Sequence, residues 1–143
     1  MNVIKAREWW RPVAPMVAVE DAASIFERGL DWGVLSPYMS KAPRLTEAAM
    51  RELPAIVHYD GTARPQVVIE SDDPWLHALL LEVKRRTGGY ACLINTSFNT
   101  RGKPILNRAA EALELLLESE DMDAVVIGNK IVAKREAKRG VAL

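Results

Sequence analysis

The stretch from Asp73 to Asn95 constrains the fold most, because it joins a well-marked helix directly to a strand. Asp73 and Pro74 are typical N-cap and first-turn residues, and the apolar residues that follow recur at helical spacing. Lys84, Arg85 and Arg86 suit the C-terminal end of a helix dipole, and Gly88 is a common helix terminator. The next residues, "YACLIN", have the apolar content of a buried strand. The stretch therefore predicts a helix–strand unit of an α/β domain.

Further elements alternate along the chain. "VIK" and "MVAV" are predicted strands, and Asp21, Thr46 and Asn107 are predicted N-caps of three helices. Two hairpins are expected, one joining "AIVHY" to "QVVIE" through "DGTARP", the other joining "DAVVIG" to "KIVAK" at Gly128. We expect one mixed α/β domain over residues 1–143, with a twisted mixed sheet and packed helices.

The amino-acid composition limits the classes of function that can be expected. The 143 residues suit one domain, and a formal net charge of zero gives no support for nucleic-acid binding. Cys92 is the single cysteine, and no Cys/His cluster has zinc spacing, so neither a disulfide nor a metal site is predicted. No signal-peptide pattern or membrane-spanning apolar run is visible, so we expect a cytoplasmic protein with no membrane partner.

The first polar segment is "KAREWWRP", which carries Lys5, Arg7 and Arg11 around Trp9 and Trp10. Arginine forks bind phosphate or carboxylate oxygens in a bidentate way, and the indole rings can shield such a site. The alternative is a solvated basic terminus that the two tryptophans anchor to the core.

The second segment is "HYDGTARPQ", and its chemistry lies in five side chains: His58, Asp60, Thr62, Arg64 and Gln66. The alternative is an ordinary turn in which Asp60 makes an Asx-turn and Arg64 is exposed. His58 stands among apolar neighbours, which favours a hydrogen-bonded structural histidine over a general base.

The third segment, "LINTSFNTRGKP", follows a strand and precedes a helix, a frequent place for ligands in α/β sheets. Its polar side chains are Asn95, Thr96, Ser97 and Asn99, with Arg101 and Lys103 for charge. It is not a Walker loop, and Ser97 lacks the base and elbow context of a hydrolase nucleophile. The alternative is a loop satisfied by its own side chains. Three anion-friendly segments in one neutral chain predict that they converge on one pocket.

Five motifs occur in an order and spacing that resemble the C-terminal domain of the carbamoyltransferase family, over about Val3 to Lys134. They are "KAREWWRPVAP", "SPYM", "PAIVHYDGTARPQVV", "LINTSFNTRGKPI" and "DAVVIGNKIVAK". The family includes O-carbamoyltransferases of antibiotic and nodulation-factor biosynthesis. The resemblance implies a fold like that of YrdC, the threonylcarbamoyl-adenylate synthase.

The resemblance also implies an activity. Family members join this domain to an ATPase-like N-terminal domain that holds a metal, ATP and the acceptor. Carbamoyl phosphate and ATP give carbamoyl adenylate, and the carbamoyl group moves to an acceptor hydroxyl. Carried onto this sequence, catalytic roles fall on Arg64 and Ser97. Ligand-binding roles fall on Lys5, Arg7, Arg11, Asn95 and Asn99.

Two departures from the family qualify this expectation. The chain lacks the N-terminal domain, which suggests a split subunit, a relic or an excised piece that depends on an ATPase-like partner. Lys103 stands where the family usually has Glu. The alternative function is a non-catalytic phosphate-binding, nucleotide-binding or regulatory module, and RNA binding is disfavoured by the charge balance. A large apolar patch on the outside would favour the partner-dependent versions.

Overall fold

The computed structural model describes residues 2, 5, 8, 11–27, 37–99 and 102–134. The chain forms two compact units. Pro12–Thr96 make up the three-strand unit, and Met1–Arg11 with Ser97–Leu143 make up the two-strand unit. The predicted single domain over residues 1–143 stays a prediction.

The three-strand unit contains a mixed sheet in the order β2-β1-β3. Its strands are β1 (Ala14–Ala18), β2 (Gln66–Val68) and β3 (Cys92–Asn95). β1 pairs with β2 in parallel and with β3 antiparallel. The mixed sheet with packed helices confirms the predicted α/β class.

Helices cover both faces of this sheet. On one face Val17 and Val67 pack in the cluster that includes α1 (Val19–Ile25) and α2 (Glu47–Glu52). On the other face Ala18 and Val68 pack against Leu80 of α3 (Pro74–Thr87). Since neighbouring residues of a strand point to opposite faces, one apolar run of each strand supplies both cores.

The local helix signals are confirmed for α2 and α3. Thr46 caps α2 by accepting a hydrogen bond from the Ala49 N–H at 3.2 Å. Asp73 caps α3 by accepting from the Leu76 N–H at 2.9 Å, with Pro74 at the first helical position. Gly88 ends α3 in the left-handed conformation, with φ of 70°. These contacts span a few residues, which is why sequence spacing reveals them.

The predicted cap at Asp21 is wrong. α1 begins at Val19, so Asp21 lies inside the helix, where it is buried. Its carboxylate accepts from the Ala91 N–H at 2.7 Å and from Lys84 Nζ at 2.5 Å. Asp21 therefore ties α1 to the end of α3 and to the residue before β3.

The predicted strand "AIVHY" and its hairpin with "QVVIE" are also wrong. Pro54–Ile56 form a 3₁₀ helix, and β2 pairs with β1 instead. The backbone groups of the "DGTA" turn form hydrogen bonds with residues outside the turn. The Gly61 carbonyl accepts from the Leu45 N–H at 3.0 Å, and the Ala63 N–H donates to the Pro43 carbonyl at 3.0 Å. The backbone of residues 43–45 therefore takes the place that a hairpin strand was expected to fill.

The two-strand unit pairs β4 (Ala124–Ile127) with β5 (Lys130–Ala133) antiparallel, which confirms the second hairpin. α4 (Ala109–Glu118) packs on this ribbon through Ala112 and Leu116 against Val125. The five strands of the described residues thus lie in two sheets, not in the one sheet expected.

Asn107 is not the N-cap of α4, because the helix begins at Ala109. The Glu111 carboxylate instead accepts from the N–H groups of Asn107 and Arg108, at 3.1 and 3.2 Å. The Asn107 N–H bond, followed by the Arg108 guanidinium, lowers the pKa of Glu111. The predicted strand "VIK" lies outside the described residues. Within the part of the chain described here, no helix is long and apolar enough to cross a bilayer.

Candidate anion-binding site

Lys5 is the buried centre of a partly exposed polar cluster in the two-strand unit. Its ammonium donates to the Ser97 carbonyl at 2.6 Å, to Ser97 Oγ at 3.4 Å, and to the carbonyl and Oδ1 of Asn99. The residue is largely buried. Lys5 and the loop are 92 residues apart in the chain. The structure therefore brings the first and third polar segments together at this ammonium.

The loop is also fixed from within. Ser97 Oγ donates to Asn99 Oδ1 at 2.7 Å, and Asn99 Nδ2 donates to the Lys103 carbonyl at 2.7 Å. The Leu106 N–H donates to the Phe98 carbonyl at 3.0 Å, which closes the loop toward α4. The hydroxyl and amide groups of the loop are thereby oriented around a single cation. Such preorganised polar groups are what a site for a charged ligand requires.

The other cations of the first segment differ in position. Arg11 is 54% exposed and pairs with Glu8 at 3.2 Å, so its guanidinium is open to solvent. Asn2 Nδ2 donates to the Arg11 carbonyl at 2.9 Å. Arg7, Trp9, Trp10 and Arg101 lie outside the described residues. The phosphate-binding roles of Arg7 and Arg11 stay predictions.

The second segment, in the three-strand unit, forms an Asx-turn. Asp60 Oδ1 accepts from the Thr62 N–H at 3.0 Å and from Thr62 Oγ1 at 2.7 Å. The Thr62 hydroxyl bond, followed by its backbone N–H bond, lowers the pKa of Asp60 below its ordinary value. Thr62 Oγ1 also lies 3.2 Å from His58 Nδ1, as expected of a structural histidine. The polar side chains of His58, Asp60 and Thr62 thus satisfy one another within this turn.

Arg64 follows this turn with an exposed side chain. Arg44, by contrast, donates from Nη1 to the Asp60 carbonyl at 3.1 Å and pairs with Glu27 at 3.5 Å. No hydrogen bond or ion pair of Arg64 occurs among the residues described. Its guanidinium can therefore reach an anion without giving up a described partner.

Asn95 is held by Gln66, one of the five polar side chains of the second segment. Its Nδ2 donates to Gln66 Oε1 at 2.5 Å and lies 3.7 Å from the Met39 sulfur. Asn95 pairs with Ala14 and Gln66 with Met16, so both side chains lie on one face across β1. Only the strand register reveals this pair. Gln66 also lines a cleft of about 510 Å³, together with Tyr38, Ser71, Asp72, Asp73 and Leu76.

Cys92 lies in β3, three residues before the loop begins at Asn95. Burial, followed by the charge of Asp21, raises the pKa of its thiol to about 11. A protonated thiol is a poor nucleophile, so Cys92 is structural. Among the described residues no group of three or more His, Cys, Asp or Glu side chains could hold a metal ion.

The predicted site residues thus fall into two groups. Lys5, Ser97 and Asn99 are in mutual contact in the two-strand unit, whereas Arg64 and Asn95 belong to the three-strand unit. The convergence of all three segments on one pocket stays a prediction.

Comparison with known proteins defines the class of this chain. Residues 1–134 match the family model described as "Carbamoyltransferase C-terminus". The chain is 38% identical over 135 residues to nodulation protein NolO of Bradyrhizobium diazoefficiens, covering 94% of this chain and 24% of that protein. It is 36% identical over 129 residues to a 3'-hydroxymethylcephem-O-carbamoyltransferase of Amycolatopsis lactamdurans, covering 90% and 23%.

The chain therefore belongs to the family of carbamoyltransferase C-terminal domains. An uncharacterised protein of Methanocaldococcus jannaschii shares 34% identity over 134 residues, covering 94% of this chain and 21% of that protein. The chain spans about a quarter of the length of the curated relatives it matches.

Proposed function

We propose that this chain is the carbamoyl-phosphate-binding part of an ATP-dependent carbamoyltransferase. The observation that carries the proposal is the Lys5 cluster, in which an ammonium and the Ser97 and Asn99 side chains are held together. Membership of the carbamoyltransferase family supports the same ligand class.

Carbamoyl phosphate is a dianion with a planar amide head, and the cluster supplies partners for both parts. The Lys5 ammonium attracts the phosphate, and its partial burial reduces screening by water. The hydroxyl of Ser97 and the amide of Asn99 can exchange hydrogen bonds with the carbamoyl C=O and NH₂. The proposed site is therefore a cation beside neutral donors and acceptors.

Arg64, in the three-strand unit, has a separate role in this proposal, which rests on the family resemblance and on its exposed side chain. An exposed guanidinium can form two parallel bonds to phosphate oxygens and neutralise the charge that develops as the phosphate leaves. In the first step of the proposed sequence, water splits carbamoyl phosphate into carbamate and inorganic phosphate. We propose that Ser97 orients the ligand and does not attack it.

ATP and an ATPase-like region complete the proposed reaction. The carbamate oxygen would attack the α-phosphorus of ATP and release pyrophosphate, which gives carbamoyl adenylate. The acceptor hydroxyl, held by the partner region, would then attack the carbamoyl carbon, release AMP and lose its proton to solvent. Holding the acceptor hydroxyl against the activated carbonyl can supply several kcal/mol of the barrier. The proposal therefore has this chain bind its ligand alone and complete the transfer only with a partner.

The test is to incubate the purified chain with ATP, carbamoyl phosphate and a panel of polyhydroxylated acceptors. We expect ligand binding without carbamoylated product, and product only after an ATPase-like carbamoyltransferase region is added. Multiple-turnover carbamoylation by the chain alone would contradict the proposal that the transfer needs a partner region. An absence of both binding and activity would contradict the proposal itself.

A further inference from the structure

The outer face of the β4–β5 ribbon is apolar and exposed. Val126 pairs with Ile131, and Ala124 pairs with Ala133. By the alternation of strands, these four residues lie on one face. Val126 is 52% exposed and Ile131 73% exposed, and both alanines are exposed as well. We call these four residues the ribbon face.

The opposite face of the same ribbon is the one that packs on α4. Val125 is buried there with Ala112 and Leu116, and Ile127 packs against them. A ribbon with one face on a helix normally presents polar residues on the other face. The ribbon face has no polar residue. The amino-acid sequence of the ribbon therefore suits packing against protein on both of its faces.

The size of the ribbon face indicates what kind of partner it fits. Four small or medium apolar side chains expose roughly a few hundred Å², well below the ~800 Å² per partner of a standard interface between free proteins. A small patch suffices when its partner is tethered in the same polypeptide, because the effective concentration is then roughly millimolar.

Two observations disfavour a second copy of this chain as the partner. Lys130 stands exposed at the start of β5, and edge lysines hinder a copy from extending the ribbon edge to edge. A copy that stacked on the ribbon face would bury much less than the area of a standard interface. The relatives, in contrast, carry this region as about a quarter of a longer chain, which supplies a tethered neighbour.

We infer that the ribbon face is a docking surface for the remaining part of a carbamoyltransferase-length polypeptide, through an apolar patch on that part. The inference rests on the proposed function, in which an ATPase-like region completes the reaction. It adds the surface through which this chain and that region meet.

The test measures solvent access at the ribbon face in full-length chimeras. This chain replaces the matched region of NolO and, separately, of the Amycolatopsis carbamoyltransferase. Ile131→Cys is alkylated with iodoacetamide, and modification at position 131 is followed by peptide mass spectrometry. Any modification of Cys92, whose burial raises its pKa to about 11, lies on a different peptide and is counted separately. We expect alkylation to be at least about tenfold slower in the folded chimeras than in the free chain, since a covered thiol reacts only on opening.

Ile105→Cys is the matched control, because Ile105 is 66% exposed in the same unit and lies outside the ribbon. It should react at the same rate in both contexts. Equal rates at position 131 in free chain and folded chimeras would overturn the inference.

A second arm needs no chimera. The free chain should sediment as a monomer, and a dimer that Val126→Thr abolishes would assign the ribbon face to a second copy instead. Calorimetry with carbamoyl phosphate on the free chain tests the proposed function separately. If carbamoyl phosphate does not bind, the proposed function fails. The alkylation rate at position 131 can still be measured and still tests the docking surface.

Discussion

Two polar loops of this chain look alike in sequence and differ in how they are held. The turn around Asp60 is satisfied locally, because Thr62 supplies both hydrogen bonds to the carboxylate. The loop around Ser97 is organised by Lys5, a cation 92 residues away. The local hydrogen bonds of the Asp60 carboxylate are those of an ordinary Asx-turn.

The second arrangement is harder to explain as a turn. Partial burial of an ammonium carries a desolvation cost, which the oxygens of Ser97 and Asn99 offset. A loop that needed only to change direction would not require a buried cation. This comparison is the reason that we propose the Lys5 cluster, and not the Asp60 turn, as the ligand site.

The largest expected effect comes from Lys5→Met, which keeps an apolar stem and removes the donors. Losing charge-assisted bonds of roughly 1.5–3 kcal/mol should weaken carbamoyl phosphate binding by about a hundredfold in calorimetry. Lys130→Met is the control, since Lys130 is an exposed lysine of β5 in the same unit. Affinity within about twofold of wild type in a folded Lys5→Met protein would remove Lys5 from the site.

Arg64→Ala should have the next largest effect. Removing one charge-assisted contact should weaken carbamoyl phosphate binding by about tenfold, with little change in the free energy of unfolding. Arg51→Ala is the control, because Arg51 is an exposed arginine of α2. Unchanged affinity in the folded Arg64→Ala variant would show that the turn does not contribute a ligand contact.

Ser97→Ala should have a smaller effect, about tenfold or less, because it removes one neutral hydrogen bond. The Lys5 ammonium donates to the Ser97 hydroxyl, and the hydroxyl donates to the neutral Asn99 amide oxygen, so neither of these two partners acts as a base on it. Intact-protein mass spectrometry after incubation with carbamoyl phosphate and ATP should show no covalent adduct. A stable carbamoyl adduct on Ser97 would reverse this assignment and make it a nucleophile.

The smallest effect on binding is expected for Thr62→Val, which acts within the locally satisfied turn. The pKa of Asp60 should rise toward its ordinary value, because Thr62 supplies the bond that lowers it most. In the wild type this bond stabilises the fold at pH above the ordinary carboxyl pKa, and the contribution is lost as pH falls through the lowered value. NMR titration of the Asp60 carboxyl measures this change. An unchanged pKa would mean that another group controls the carboxylate.

The same contrast explains what could be predicted from sequence. The caps at Thr46 and Asp73, the helix end at Gly88 and the hairpin at Gly128 all depend on neighbours within a few residues. The N-cap prediction at Asp21 is wrong because the hydrogen-bond partners of Asp21, Ala91 and Lys84, are 70 and 63 residues away. "AIVHY" was misjudged because the adjoining turn bonds to residues 43–45.

The candidate site shows the same limit. Residue types and motif spacing were enough to select Lys5, Ser97 and Asn99. Their hydrogen bonds, and the pairing of Asn95 with Gln66, follow from strand register and chain path. Hydrophobic periodicity specifies neither the strand register nor the path of the chain. The sequence therefore predicts the residues of the site but not the hydrogen bonds between them.

The most direct test of the central claim is an NMR titration of the ¹⁵N-labelled chain with carbamoyl phosphate. We predict that the backbone amides of Ser97, Phe98 and Asn99 shift most, and that these shifts disappear in Lys5→Met. Saturating carbamoyl phosphate that leaves the Ser97–Asn99 amides unmoved, or that shifts only residues elsewhere, would contradict the claim that Lys5 and this loop form the carbamoyl phosphate site.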